Sequence, residues 1–117
     1  MASRFTPNKT DGAAAPVPYI EYDDDGAIAY IAGTVVLTKG TAQAMTLADP
    51  ATSINGARLL ITSHTAAAHT VTNTTGFNST STSGDVATFG GAIGDCMEIV
   101  AVDGIWQVVS LRNVTLG

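Results

Sequence analysis

The stretch GDCMEIVAVDGIWQVVS, Gly94 to Ser110, decides the fold class because two apolar runs flank a single strong turn signal. Asp103-Gly104 is a favoured pair for a two-residue type I′ turn, whose central residues both take positive φ. A turn centred there predicts a β-hairpin. Its strands then pair outward from the turn as Val102 with Ile105, Ala101 with Trp106, Ile99 with Val108, and Met97 with Ser110.

Side-chain alternation sorts this hairpin into two faces, and both are largely apolar. One face carries Met97, Ile99, Ala101, Trp106 and Val108; the other carries Cys96, Glu98, Val100, Val102, Ile105, Gln107, Val109 and Leu111. A hairpin of an isolated monomer normally leaves one face to solvent, so a second covering surface is expected. A neighbouring strand, the N-terminal segment or another subunit could supply it. We favour another subunit, because 117 residues offer little material to cover both faces. The predicted interface or core residues are Cys96, Met97, Ile99, Val100, Val102, Ile105, Trp106, Val108 and Val109.

The rest of the chain is also typical of a β protein. β-branched residues are abundant and suit a pleated surface, while frequent Gly and Asn supply turns. From Ala27 onward, roughly eight short apolar runs are separated by turn residues at intervals of about 8 to 12 residues, as in sandwiches and barrels. The sequence therefore predicts one all-β domain over residues 27–117, an antiparallel β-sandwich.

Residues 1–26 differ from this domain. They hold three of the four prolines and three consecutive aspartates, and they have few apolar residues to bury. We interpret them as an extended N-terminal arm that lies on a partner, with an ordinary frayed terminus as the alternative. Docking is favoured by the arm's aromatic residues, since a fully solvated tail rarely keeps them. The candidate contact residues of the arm are Phe5, Tyr19, Tyr22, Asp23, Asp24 and Asp25.

The candidate chemical groups form no recognised catalytic or metal site. Cys96 has no basic residue within eight positions, and a reactive thiolate needs a nearby cation or a helix N-terminus. His64 and His69 are five positions apart, which puts them on opposite faces of a strand with no Cys or acid nearby for zinc. The aspartates of the arm lack the closing glutamate and the entering helix of an EF-hand. No phosphate-binding loop or G-x-S-x-G motif occurs, so we predict no enzyme and no cofactor.

Charge and hydropathy restrict the partners. Ten acidic residues against five basic ones give a formal net charge of −5, and the basic residues are scattered, which argues against nucleic-acid binding. No apolar run approaches the length that spans a bilayer, so no membrane partner is expected. The N-terminus lacks the apolar region of a secretory signal, which predicts a chain made and kept in a cytoplasm until it is assembled or released.

The runs GTVVLTKGTAQAMTLADP and GARLLITSHTAAAHTVTNTTGF, followed by the hairpin GDCMEIVAVDGIWQVVS, resemble small β modules of tailed-bacteriophage virions. In those modules Thr/Ala-rich strands precede a terminal hairpin with Gly-Asp, an apolar strand, Asp-Gly, and then Trp and Val. They occur in head decoration (cement) proteins and in tail-fibre proteins. The resemblance covers about residues 33 to 112, and its motifs are structural rather than catalytic.

A decoration protein is the first interpretation that this resemblance implies. Such a protein has a jelly-roll-like sandwich, is typically a homotrimer, and binds the major capsid protein on the outside of the assembled shell. The expected location is then the virion surface, after synthesis in the host cytoplasm. The alternative is a receptor- or glycan-binding module of a tail fibre or spike. That reading needs exposed aromatic residues for stacking on sugars, and Phe77 and Phe89 are the candidates.

Overall fold

The computed structural model describes residues 18–29 and 32–117. In this part of the chain, ten strands form two five-stranded sheets that pack on a shared core. The first sheet contains, in spatial order, β1 (Tyr19–Tyr22), β3 (Gly33–Leu37), β5 (Arg58–Ser63), β8 (Cys96–Val102) and β9 (Ile105–Arg112). The second contains β10 (Val114–Leu116), β7 (Val86–Phe89), β6 (Thr70–Thr72), β4 (Ala44–Leu47) and β2 (Gly26–Ile28). Two short 3-10 turns, Thr52–Ile54 and Phe77–Ser79, complete the described elements. The predicted all-β sandwich is confirmed.

The first six strands wind as three stacked coils. Each coil places one strand in the first sheet and the next in the second: β1 and β2, then β3 and β4, then β5 and β6. Successive coils pair in parallel in both sheets. Between the second and third coils, Thr34 pairs with Leu60 and Ala44 pairs with Thr70, so partners are 26 positions apart in both sheets. The two coils therefore turn the corner between the sheets with the same number of residues.

The last four strands close the sandwich in antiparallel fashion. β8 pairs with β5 and β9, while β7 pairs with β6 and β10. The predicted antiparallel arrangement thus holds for four of the eight pairings of the described strands, and the other four are parallel. A jelly roll is an antiparallel architecture, so this strand order does not support that detail. The sequence could not show strand direction, because a period of two reports which face is buried and not which way the neighbour runs.

The core lies between the two sheets and is built from the inward positions of nearly every strand. Its largest fully buried apolar side chains are Trp106, Phe77, Phe89, Leu37, Met45, Leu59, Ile61, Met97 and Ile99. The indole Nε1 of Trp106 donates to the carbonyl of Ala48 at 2.9 Å, which satisfies the polar end of the ring inside the core.

The terminal hairpin has the predicted turn. Asp103 and Gly104 take φ values of 48° and 82°, as a type I′ turn requires. The three predicted pairs nearest the turn are confirmed, down to Ile99 with Val108. The fourth is wrong: a β-bulge shifts the register between Glu98 and Ile99, so that Met97 pairs with Leu111. Val109 is the extra residue, and a bulge leaves no sign in apolar periodicity when its neighbours are apolar.

The N-terminal boundary also differs from the prediction. Tyr19–Tyr22 is an edge strand paired with β3, and β2 begins at Gly26, so the domain starts earlier than residue 27. Ile20 and Tyr22 pack against the core, which explains why this short stretch joins the sheet. Residues 1–17, with the candidate contact residue Phe5, lie outside the described residues.

Candidate interaction surfaces

The residues singled out in the hairpin divide between the core and the surface. Met97, Ile99 and Trp106 are at most 1% exposed, and Val108 packs partly buried against the same cluster. These four positions hold the two sheets together and offer nothing to a partner.

The remaining hairpin residues face outward from the sandwich. Cys96, Val100 and Ile105 are half-buried, while Val102 and Val109 are 36% and 45% exposed. The half-buried Leu60 lies beside them on β5, opposite Glu98. All ten described strands belong to the two sheets, so no third strand layer covers these side chains within residues 18–29 and 32–117. We call Leu60, Val100, Val102, Ile105 and Val109 the outer aliphatic face; the polar residues Glu98, Gln107 and Ser110 lie among them, since Val100 pairs with Gln107 and Glu98 pairs with Ser110.

Two basic residues border this face. The guanidinium of Arg58 lies 3.8 Å from the carboxylate of Glu98, a long ion pair between partly exposed groups. Arg112 stands directly opposite Cys96 in the pairing of β8 with β9. The sequence did not reveal Arg112 as a neighbour of Cys96, because the two residues are 16 positions apart and only the hairpin brings them together.

The outward face of the second sheet has a different character. Its outward positions are Ala27, Ala44, Thr46, Thr70, Thr72, Val86, Thr88 and Thr115, five of them threonine. Threonine combines a β-branched side chain with a hydroxyl group, so it suits a strand whose face meets water. The two outer faces of the molecule are therefore not equivalent.

The acidic cluster is largely engaged within the domain. The ammonium of Lys39 lies 3.1 Å from the carboxylate of Asp24 and 3.2 Å from that of Asp25. Asp24 also accepts the backbone N–H of Asp25 at 2.8 Å, and Asp25 accepts that of Ala44 at 3.0 Å. These backbone hydrogen bonds, followed by the Lys39 contact, hold the pKa of both carboxyl groups below the usual value, and the aspartates raise the pKa of Lys39.

Of the predicted arm residues, Tyr19, Asp23, Asp24 and Asp25 are exposed. Tyr19 is 59% exposed, and its hydroxyl donates to Glu21, which raises the pKa of the phenol. Asp23 is exposed. Tyr22 instead packs on the core, and its hydroxyl accepts the N–H of Ala29 at 2.8 Å. The structure therefore assigns Tyr22 an internal role, whereas Asp24 and Asp25 stay exposed and also form ion pairs with Lys39.

A buried polar network, which the sequence reading missed, joins the three coils at one corner of the sandwich. Gln43 and His69 are 1% and 0% exposed. The backbone N–H of Gln43 donates to His69 Nδ1 at 3.1 Å, and its side-chain Nε2 donates to the carbonyls of Tyr22 and Asp24 at 3.0 and 2.7 Å. The spacing of 26 residues between paired positions of successive coils could have revealed this network. Gln43 and His69 are 26 positions apart, and so are Lys39 and Thr65.

A second buried polar group is the carboxylate of Asp95, 3% exposed. One oxygen accepts the N–H groups of Gly91 and Ala92, and the other accepts the side-chain amide of Asn113, each at 2.9 Å. The sequence suggested only a turn residue beside Gly94. Its role is structural, because every contact is to the loop or to the link between β9 and β10.

The aromatic candidates for sugar stacking are not available at the surface. Phe77 and Phe89 are both 0% exposed and belong to the core cluster. A stacking platform must present a ring face to the ligand, so neither residue can serve as one without unfolding of its surroundings.

In the described part of the chain, no group of three or more His, Cys, Asp or Glu side chains is arranged to hold a metal ion. No helix of these residues is long and apolar enough to cross a membrane. Comparison of the chain with family models, curated proteins and solved structures finds no match in any of the three.

Proposed function

We propose that this chain is a structural virion protein of a tailed bacteriophage, which binds the outside of the assembled capsid as a homotrimer and stabilises the shell. The outer aliphatic face is the observation that carries the proposal. It lies on one of two outer faces only, and the opposite face is threonine-rich. Apolar surface of this kind is costly in water and is stabilised when a subunit covers it.

The small number of charges on this face suits a permanent assembly. Its ionic groups are Arg58 and Arg112 at the border and Glu98 between Leu60 and Ser110, and Arg58 and Glu98 already form a pair. Interfaces of permanent oligomers are larger and more apolar than those of transient complexes. A partner copy that covers Val102 and Val109 would also meet Glu98, whose charge is offset by Arg58 of the same chain.

Contact with the shell is proposed for the N-terminal end of the domain. Tyr19 and Asp23 are exposed there, and residues 1–17 with Phe5 directly precede them in the chain. Stabilisation follows from mass action, since a ligand that binds only the assembled shell favours that shell. Three such contacts on one trimer raise the avidity through effective concentration.

A glycan- or receptor-binding module of a tail structure remains the alternative function, with less support. Its candidate stacking residues Phe77 and Phe89 are buried. Tyr19 is the one exposed ring that the described residues leave for such a role, and it lies on an edge strand.

The assembly is tested by a pair of matched glutamate substitutions on the two outer faces. Val109→Glu puts a carboxylate into the outer aliphatic face, and Thr88→Glu puts the same group on the threonine-rich face. An unpaired buried carboxylate costs about 3–5 kcal/mol, so Val109→Glu should weaken self-association at least about 100-fold. Sedimentation equilibrium of the wild-type chain and of both variants measures this, with circular dichroism to verify that each is folded.

Thr88→Glu should leave the oligomer unchanged. A wild-type chain that sediments as a monomer at micromolar concentration would remove the argument from the aliphatic face. Equal weakening by both substitutions would show that the faces do not differ in the way proposed.

The location is tested separately by a cryo-EM map of the particle that carries the protein. Density for the domain on the outside of the capsid lattice, repeated as a trimer, is expected. Density at the tail tip would overturn the capsid proposal and favour the receptor-binding alternative.

A further inference from the structure

The hydrogen bonds around His69 fix its protonation state. The hydroxyl of Thr65 donates to the carbonyl of Lys39 at 2.6 Å, which uses its proton, so at 2.9 Å from His69 Nε2 the hydroxyl oxygen must accept. On the other side of the ring, Nδ1 accepts the backbone N–H of Gln43 at 3.1 Å. Both contacts require the same tautomer, a neutral ring with its proton on Nε2.

A second proton on this ring has no acceptor. It would sit on Nδ1 and point at the N–H of Gln43, so two donors would face each other inside the protein. The ring is 0% exposed, and no water can replace the lost partner without a local opening. Burial accordingly lowers the pKa of His69 from the usual 6.5.

Protonation of the ring would displace Gln43, and Gln43 holds the first coil in place through hydrogen bonds. The side-chain amide of Gln43 donates to the carbonyls of Tyr22 and Asp24, at the corner between β1 and β2. Its oxygen accepts the N–H of Lys39 at 3.3 Å. A shift of Gln43 away from a protonated ring therefore acts directly on the end of β1.

We propose that His69 is an acid-sensitive latch: protonation of its ring displaces Gln43 and loosens the first coil, β1 and β2, from the rest of the sandwich. The latch belongs to the folded domain and is independent of the assembly proposed above. In an acidic environment, the latch would loosen the edge of the sandwich that carries Tyr19 and Asp23.

The charged groups that contact this corner are Lys39, Asp24 and Asp25, and their pKa values are shifted away from the range between pH 5 and 7.5. Lys39 contributes only its carbonyl and amide to the network, and its ammonium is held by Asp24 and Asp25, whose pKa values are lowered. From β7, the neighbour of the ring is Phe89, in edge contact with centroids 6.4 Å apart, which is uncharged. His64, on the same loop, is exposed and serves as the natural control.

The test is backbone amide exchange followed by NMR between pH 7.5 and 5, with rates corrected for the intrinsic effect of pH. Two amides report on the latch: Thr38, which donates to the carbonyl of Tyr22 at 2.9 Å, and Ala44, which donates to Asp25. We expect their protection to fall about tenfold or more on acidification. The amide of Ala101, which donates to Ala57 at 2.9 Å in the far part of the first sheet, is the internal reference and should change much less.

Variants separate the latch from a general loss of stability. His64→Gln should keep the pH dependence, and His69→Gln should abolish it. Gln43→Leu should lower the protection of Thr38 at every pH while the imidazole of His69 still titrates.

The direct titration of the His69 ring in the wild-type protein requires no variant and decides the matter if His69→Gln fails to fold. A ring pKa at or above 6.5, or equal loss of protection at Thr38 and Ala101, would overturn the proposal.

Discussion

A single carboxylate, that of Asp95, organises the connection between β7 and β8. It receives two backbone N–H groups of its own loop and the side-chain amide of Asn113, whose φ of 55° turns the chain from β9 into β10. The carbonyl of Asp95 also accepts the N–H of Ser63. One residue thus joins the loop, the third coil and the last strand.

Replacement of Asp95 should be strongly destabilising. Asp95→Ala removes three part-buried hydrogen bonds to a carboxylate, from Gly91, Ala92 and Asn113, and bonds to a charged group contribute about 1.5–3 kcal/mol each, so a loss of about 2–4 kcal/mol is expected. Urea denaturation at pH 7 measures it.

The pH dependence of that loss follows from the pKa of Asp95. Burial alone would raise this pKa, but the hydrogen bonds from the loop backbone and from Asn113 outweigh burial and hold it below 3.8. A carboxyl with a lowered folded pKa stabilises the fold above its unfolded pKa, and this contribution disappears as the pH falls through the folded value. The ionic part of the difference between wild type and variant should therefore shrink in strong acid. Asp23→Asn, at an exposed position, should change stability by less than about 0.5 kcal/mol at any pH.

At the scale of elements, the hairpin depends on a turn that only glycine fits easily. Gly104 has a φ of 82°, and a Cβ built there meets nothing nearer than the carbonyl oxygen of Pro50 at 3.9 Å. The cost of a side chain at this position is therefore conformational rather than steric.

Gly104→Ala should lower the free energy of unfolding by about 1–2 kcal/mol, the usual cost of the left-handed conformation for a residue with a Cβ. Gly40→Ala is the matched control, since a Cβ there meets nothing within 4 Å and the φ of Gly40 is not positive. Thermal unfolding of both variants makes the comparison. Equal effects at the two positions would show that the turn conformation is not the cause.

How much the sequence could predict depended on how local each feature is. The type I′ turn and the three pairs beside it were predictable because Asp103-Gly104 fixes them within a few residues. The bulge at Val109 was not, since one additional apolar residue leaves the pattern apolar. The parallel coils were also out of reach, because each pairing joins strands from successive coils and no turn residue specifies it.

The candidate surface residues, too, were predictable only where their position depends on neighbours close in the sequence. Alternation predicted the outward positions of Val100, Val102 and Ile105, but the bulge ends the alternation, so Leu111, predicted on the same face, pairs with the buried Met97. It could not show that Asp24 and Asp25 form ion pairs with Lys39, 15 and 14 positions away. Alternation also could not show that His69 is buried and His64 is exposed, because burial at a corner depends on the coil that stacks against it.

At the scale of the whole molecule, the topology predicts slow folding. Among the described strands only β8 and β9 are joined by a two-residue turn, and the parallel pairs become possible only after a complete coil has formed. Proteins dominated by such non-local pairing refold in about milliseconds to seconds.

Trp106 is the only tryptophan and is buried between the sheets, so its fluorescence reports the closure of the sandwich. Stopped-flow refolding from urea, followed at this residue, should give a main phase in the range of about milliseconds to seconds. A main phase in microseconds would contradict this expectation and indicate that the coils form locally before they stack.

The equal spacing of the second and third coils has a consequence for how such a molecule can grow. Because partners lie 26 positions apart in both sheets, a tandem copy of one such unit would enter the stack without disturbing the corner on either side. Each added unit would widen both sheets by one strand, about 4.8 Å. Duplication would therefore lengthen the stack of coils in steps of one strand in each sheet. The terminal hairpin and its aliphatic surface would stay unchanged at the end of the stack.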